Sequence, residues 1–357
     1  MGKILRLPAG IDPHVHLRDP GGTRKETFLT GTAAALAGGY ACVLDMPNNQ
    51  PPVTSLKTLA AKERAAAKAV CDYGFWWGAT RKNAKLAPEA AQRCVGMKVY
   101  MSHTFGPLLV EDMSTLIRQF QAWPADRPIA VHAEGPAMLV AIMLARLSGR
   151  WLHVCHVSEA WQIEWIRQVK EQGARITCEV TPHHLFLTKD DARALGSLGK
   201  MRPPLGTAAD RQALWDNLGV IDMLATDHAP HTLEEKRGPK PPPGVPGLET
   251  ALPLMLTAVS EGRLTLERLV ELYHDAPARL FGIPTSPESF VVVETDVRAT
   301  IRGDTLQTKC HWTPFEGMEV GARVLETWVR GVQAWEGGRV RVQPGFGQRV
   351  GPQQNAS

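Results

Sequence analysis

The sequence predicts an α/β chain built as a TIM-like (β/α)8 barrel with a small, mainly C-terminal β appendage. Three observations carry this. Eight short apolar, β-branched runs alternate with longer segments of helical spacing over about the first 280 residues. Histidine, lysine, asparagine and acidic residues collect at the ends of those runs, where a parallel barrel gathers its chemistry; a doubly wound open sheet, the main competitor, concentrates ligands at one switch point. After about residue 285 the pattern changes to alternating strand-like stretches.

The eight runs are Ile4 to Val15, Ala41 to Met46, Tyr73 to Ala79, Gly96 to Met101, Ile129 to Ala133, Trp151 to Val157, Arg175 to Thr181 and Val220 to Thr226. Pro13 removes a backbone donor from the first run, which a strand tolerates best near its end. Leu56 to Val70 and Ser158 to Gln172 read as helices between runs, the second with Trp161, Ile163, Trp165, Ile166 and Val169 on a largely apolar face. Phe290 to Glu294, Val324 to Val329 and Arg339 to Val342 read as appendage strands, with Gly337-Gly338 as a hairpin turn. The expected organisation is a barrel over 8–283, an appendage from 1–7 and 284–346, and a mobile tail over 347–357. Pro239 to Gly244 reads as a stiff loop over the barrel mouth in preference to a linker.

Composition narrows the function classes. The 40 Lys and Arg against 36 acidic residues are scattered without a basic run, so nucleic-acid binding is not expected. No apolar run approaches the ~20 residues of a membrane helix. The six cysteines show no CxxC pair or framework spacing and read as reduced core residues, which points to a cytoplasmic setting.

His14-Val15-His16 is the strongest chemical signal. Side chains at i and i+2 of a strand point the same way, so two imidazoles can grip one cation. A lone histidine beside a core strand is more often satisfied by hydrogen bonds; here His132, His156 and Asp227 also end strand-like runs, which favours a metal site at the barrel mouth. Lys98 is the only charge in Gly96 to Met101, so burial would demand a partner or a chemical change. This set is generous for one catalytic zinc but suits two metals, with Lys98 as the bridge.

The string Gly10 to Gly21, Met46-Pro47-Asn48, Ala225 to His231 and His311 to Gly317 resembles the dihydroorotases of the amidohydrolase superfamily, above all the dihydroorotase domain of the animal multifunctional protein CAD. The resemblance runs over nearly the whole chain and implies a barrel of the metal-dependent hydrolase type. It implies that His14, His16 and Asp227 bind one zinc, that His132 and His156 bind a second, and that N-carboxylated Lys98 and a hydroxide bridge them. That hydroxide would attack the ring amide of L-dihydroorotate while Asp227 shuttles the proton, and the reverse reaction would cyclise N-carbamoyl-L-aspartate with loss of water, in de novo pyrimidine synthesis.

The same resemblance implies that Arg18, Asn48 and His231 hold the substrate carboxylate, that Arg202, Pro243 and Gly244 hold the ring, and that Thr104-Phe105 tips a loop closing on substrate. Glu179 and His184 resemble residues of a third zinc position; orientation of a ligand imidazole accounts for them equally. A homodimer, and association with aspartate transcarbamoylase, follow from the resemblance alone. Hydantoinase, dihydropyrimidinase and allantoinase are the competing activities on this scaffold, and a catalytically dead scaffold subunit is the non-enzyme alternative. Taken without the resemblance, Arg18 would be an exposed salt-bridging residue.

Overall fold

A computed structural model describes residues 2–351 of the chain. After β1 (Lys3–Pro8) come the barrel strands: β2 (Gly10–Val15), β3 (Tyr40–Asp45), β4 (Asp72–Gly78), β5 (Gly96–Tyr100), β6 (Ile129–His132), β7 (Leu152–Val154), β8 (Ile176–Val180) and β9 (Met223–Leu224). They lie side by side in chain order and every neighbouring pair is parallel. Nearly every strand residue is buried, as expected for a parallel sheet enclosed by helices.

The expected first run, Ile4 to Val15, is two strands in two sheets. β1 leaves Lys3, Ile4 and Arg6 exposed and pairs antiparallel with β10 (Phe290–Thr300), whereas the wholly buried β2 pairs parallel with β3. The appendage continues through β11 (Glu319–Val329), β12 (Val332–Glu336) and β13 (Arg339–Val340), in the order β1-β10-β11-β12-β13. β12 is absent from the sequence-based expectation. Its turn to β13 is Gly337-Gly338, with φ of 55° and 85°, the positive values a two-residue hairpin needs. Val291, Val293, Ala322 and Trp335 join the hydrophobic core of the barrel, so appendage and barrel share one interior.

Two expected helices form with shorter bounds. Leu56–Ala66 starts at a capping box between Ser55 and Thr58. Ala160–Glu171 buries Gln162, Ile163, Ile166 and Val169, but Trp165 is 45% exposed. Two residues on from Ile163 is about 200° around a helix, so Trp165 faces outward and the apolar face is narrower than the composition suggests. The tail is bonded over its described part: Tyr73 N donates to Gln348 O (3.0 Å) and Val350 N to Tyr73 O (2.8 Å), extending the edge of β4. The expectation of a mobile tail is therefore corrected for 347–351, where backbone hydrogen bonds hold a Gly- and Gln-rich stretch; 352–357 lie outside the described residues. All six cysteines are buried and free. Among the described residues no helix is long and apolar enough to cross a membrane.

The barrel closes where its first strand meets its last. Val15 bridges His228, and His16 N donates to His228 O (2.8 Å). Beneath this bridge lies Asp12, fully buried, whose carboxylate accepts from His14 N (3.1 Å), Thr226 N (3.2 Å) and the Thr226 hydroxyl. Pro13 cannot donate, and the β2–β3 register shifts at this point. Its carbonyl accepts from Trp76 Nε1 (2.9 Å) instead. Asp12→Ala leaves two buried amides and a hydroxyl without an acceptor, a loss of about 3 kcal/mol in unfolding free energy. Urea denaturation checks this; an unchanged midpoint would mean that the seam is held by other contacts.

Candidate metal centre

The ends of the barrel strands other than β4 bring polar residues to the same mouth. His14 Nδ1 lies 2.5 Å from Glu179 Oε1 on β8, and its Nε2 lies 3.4 Å from Asp227 Oδ1. His16 Nδ1 lies 2.6 Å from Asn48 Oδ1, and its Nε2 lies 3.0 Å from the same Asp227 oxygen. His132 Nδ1 lies 3.0 Å from His156 Nε2, while His156 Nδ1 is buried without a partner. His156 and Asp227 both take positive φ (37° and 45°), a strained backbone that persists because the surroundings hold it. Lys98, fully buried in β5, donates to Cys155 Sγ (2.8 Å).

The electrostatics favour a bound cation. Burial pushes the His16 imidazole down to about 3 and lowers His132 and His156, so these rings are neutral and present lone pairs. Burial opposes the charge of Asp227, but His14 and His16 outweigh it and hold the carboxylate ionised. Ligand atoms of His14, His156 and Asp227 lie within 4.8 Å of one another. Neutral imidazoles, an ionised carboxylate and an orphaned ring nitrogen form the donor set that zinc takes, so the residues fit the metal.

A second group, His14, Cys155 and Glu179, meets the same spacing. Glu179 is joined in this group by Cys155, which had read as a core thiol; its place directly before His156 is the only signal that could have found it. His184 is not in this group. It sits in the short helix Pro182–Phe186, and its ring turns back to Thr181 Oγ1 (2.8 Å) and Pro203 O (3.3 Å). His153, also not singled out by sequence, links Glu179 (2.9 Å) to Thr177 (3.0 Å) inside the barrel.

Beside the histidine–carboxylate cluster lies a cationic corner. Arg18 is 5% exposed, which corrects the salt-bridging surface reading. Its Nε donates to Pro230 O (3.2 Å), while its buried Nη1 has no partner. Burial lowers its pKa only to about 10, so it stays charged. Lys25, which the sequence gives no reason to select, lies 3.0 Å from His231 Nδ1 and 4.5 Å from the Phe105 ring centre. An ammonium only donates, so His231 accepts at Nδ1, while its Nε2 lies between Arg18 Nη2 (3.2 Å) and Pro243 O (3.0 Å). Phe105 meets His231 edge-on at 5.0 Å, and its carbonyl accepts from Asn48 (3.4 Å).

Arg202 lies at the rim, paired with Glu134 (3.3 Å). One cavity is lined by every expected site residue, Thr104, Pro243 and Gly244 included, except His231, Glu179 and His184, which stand behind its wall. Clefts at the strands' other ends, around Asp72 and Arg330 and around Trp151 and Arg175, include no histidine among their described lining residues.

The amidohydrolase family model matches residues 5–333, and the chain belongs to that family. It is 46% identical over 350 residues to multifunctional protein CAD of Squalus acanthias and 46% identical over 348 residues to multifunctional protein pyr1-3 of Dictyostelium discoideum, covering 98% and 97% of this chain. The chain spans 16% of the length of each of these relatives. It is 36% identical to dihydroorotase of Halobacterium salinarum over 94% of this chain and 87% of that protein. Among solved structures, L-hydantoinase (dihydropyrimidinase) from Arthrobacter aurescens superposes with a TM-score of 0.91 at 30% identity, covering 97% of this chain and 89% of that one. The inactive dihydroorotase-like domain of the Chaetomium thermophilum CAD-like protein shares the fold, with a TM-score of 0.82 at 24% identity over 98% of this chain and 99% of that one.

The buried imidazoles set a pH dependence for the metal-free protein. His16 and His184 are held near 3 and 4 by burial, below the 6.5 of a free imidazole, so the unfolded chain binds more protons in between. Their stabilisation is present above pH 6.5 and lost as pH falls from there toward 4. Thermal unfolding of the chelated protein across this range should show a midpoint that drops on acidification, with an uptake of at least two protons on unfolding. A flat profile would contradict neutral buried rings.

Proposed function

We propose that the chain is a zinc-dependent dihydroorotase, interconverting N-carbamoyl-L-aspartate and L-dihydroorotate in de novo pyrimidine synthesis. The observation that carries the reading is the unpaired, buried Nη1 of Arg18 in the same cavity as the imidazole–carboxylate cluster. A guanidinium that keeps its charge in a buried corner suits a substrate carboxylate. Hydantoins and dihydropyrimidines lack that exocyclic group, which separates this reading from the hydantoinase activity named for the Arthrobacter structure.

Two zinc ions, held by His14, His16 and Asp227 and by His132 and His156 with N-carboxylated Lys98 between them, would supply Lewis acidity and a hydroxide nucleophile near neutral pH. Arg18 takes the substrate carboxylate, with Asn48 and His231 completing the grip. Arg202, Pro243 and Gly244 border the ring. In hydrolysis Asp227 carries the proton to the ring nitrogen as its amide C–N bond breaks; in cyclisation it removes that proton and water is lost. Thr104 and Phe105 line the cavity, and their loop would close on substrate and keep bulk water out. Glu179 orients the His14 imidazole, the alternative that their 2.5 Å contact supports over a third zinc with His184.

Pairing with a second copy and association with aspartate transcarbamoylase belong to the same proposal. Leu139, Met143 and Leu147, spaced four apart on the helix Pro136–Ser148, are exposed together with Met113 and Ile117 of the adjacent helix Met113–Ala122, an apolar face that supports pairing. The free cysteines support a reducing, cytoplasmic setting.

Turnover assays test the reading. Protein loaded with zinc and bicarbonate is expected to convert L-dihydroorotate and to lose this on chelation, with activity tracking about two zincs per chain. Turnover of hydantoin or allantoin without L-dihydroorotate would replace the reading. Arg18→Ala is expected to lower kcat/KM for L-dihydroorotate by roughly 100-fold or more, by removing one partner of a buried charge pair. Asp227→Asn should fold yet lose about 100-fold or more in kcat. Wild-type kinetics in either variant would contradict the role given to that residue.

A further inference from the structure

Lys236 takes no part in the chemistry above and does not line the cavity, yet it is among the largest fully buried side chains of the molecule. It lies in the short helix Leu233–Arg237, and its ammonium donates to three main-chain carbonyls: Lys200 O (2.8 Å), Gly244 O (3.0 Å) and Pro242 O (3.2 Å). A neutral amine has two protons to give and an ammonium three, so saturating three carbonyls requires the charged form. Burial and the neighbouring Lys200 push its pKa down to about 7, and the Trp312 ring, centred 5.3 Å away, flanks the charge.

The carbonyls belong to two segments of distant sequence. One leads from Lys200 to Arg202; the other is the Pro-rich loop ending at Pro243 and Gly244. Gly244 N also donates to Lys200 O (3.1 Å), so the segments touch where Lys236 clamps them. Gly244 has a φ of 132°, and a Cβ there would sit 2.6 Å from Ala229 O, so the loop runs flush against the strand end that carries Asp227. Trp312 Nε1 in turn donates to His231 O (2.7 Å). The arrangement gathers Arg202, Pro243, Gly244 and His231 around one buried charge.

We propose that Lys236 is a positioning residue for substrate binding: by clamping the Lys200–Arg202 segment to the Pro242–Gly244 loop it fixes the rim that borders the substrate ring. Prolines restrict φ within the loop but cannot set its distance from a neighbour. The ammonium does so through three directed bonds in a dry site, where each is strong. The inference rests on the reading of L-dihydroorotate as substrate, and its test separates the two.

Lys236→Met keeps the apolar stem and removes all three donors; Lys236→Gln keeps an amide with two. In the zinc-loaded enzyme Lys236→Met is expected to raise KM for L-dihydroorotate roughly tenfold with kcat within about twofold, and Lys236→Gln to fall between it and wild type. Zinc content should stay at the wild-type value. Amide hydrogen exchange should quicken in 200–204 and 239–245 and stay unchanged in β2 and β9. If Lys236→Met does not fold, Lys236→Gln decides on the same readouts. An unchanged KM, a loss confined to kcat, or unchanged exchange in the two segments would overturn the proposal. Failure of the wild-type enzyme to turn over L-dihydroorotate would overturn the substrate reading, and the exchange measurement would still decide whether Lys236 clamps the segments.

Discussion

The seam between the first and last barrel strands is the constraint on which the rest of the molecule depends. A parallel barrel exists only if β2 and β9 are brought together, and here the joint is made largely by one buried carboxylate. Asp12 binds the backbone of His14 on one side and the backbone and hydroxyl of Thr226 on the other. Burial raises its pKa to about 7, so an isolated charge there is unfavourable and the three donors offset that cost. The residues just beyond the joint are His14, His16 and Asp227. The contact that closes the barrel is thus also the contact that sets two imidazoles against one carboxylate.

From that seam the site divides into two regions of different electrostatics. On the side proposed to bind metal, burial keeps His16, His132 and His156 neutral, and the second ring nitrogens of His14 and His16 are held by Glu179 and Asn48, so both imidazoles are oriented. On the substrate side the same depth of burial holds cations: Arg18, and Lys25 behind His231. Asp227 stands between them, its carboxylate kept ionised by histidines of the metal side. On the proposed function, an anionic substrate drawn to this cationic corner would have its ring beside His14, His16 and Asp227. The loop carrying Phe105 spans the two, its ring against His231 and its carbonyl bonded to Asn48.

Much of this was legible in the sequence because strand periodicity is strict. His14-Val15-His16 places two side chains on one face whatever the tertiary context, and polar residues ending apolar runs mark the barrel mouth. Where the reading fell short, the cause is three-dimensional. The break at Ala9 separates two strands of similar texture whose partners lie hundreds of residues away or in the next strand, and no local pattern says which. Cys155, Lys25 and Lys236 have ordinary sequence contexts, and their roles appear only when β7, the loop after β2 and the helix at Leu233–Arg237 are brought to common partners. His184 also follows a strand end, but its helix turns the ring toward its own cap, which no local pattern shows. The tail from Gly347 has the composition of a mobile segment, and its described part, 347–351, makes main-chain bonds that composition does not reveal.

The central claim is that the closed seam assembles a two-metal site from His14, His16, Lys98, His132, His156 and Asp227. Anomalous diffraction at the zinc edge, from crystals grown with zinc and bicarbonate, tests it most directly. The account predicts two strong peaks about 3.5–4 Å apart at the barrel mouth, joined by density extending from Lys98 Nζ. A single peak, peaks away from these six side chains, or an unmodified lysine between two metals would contradict it.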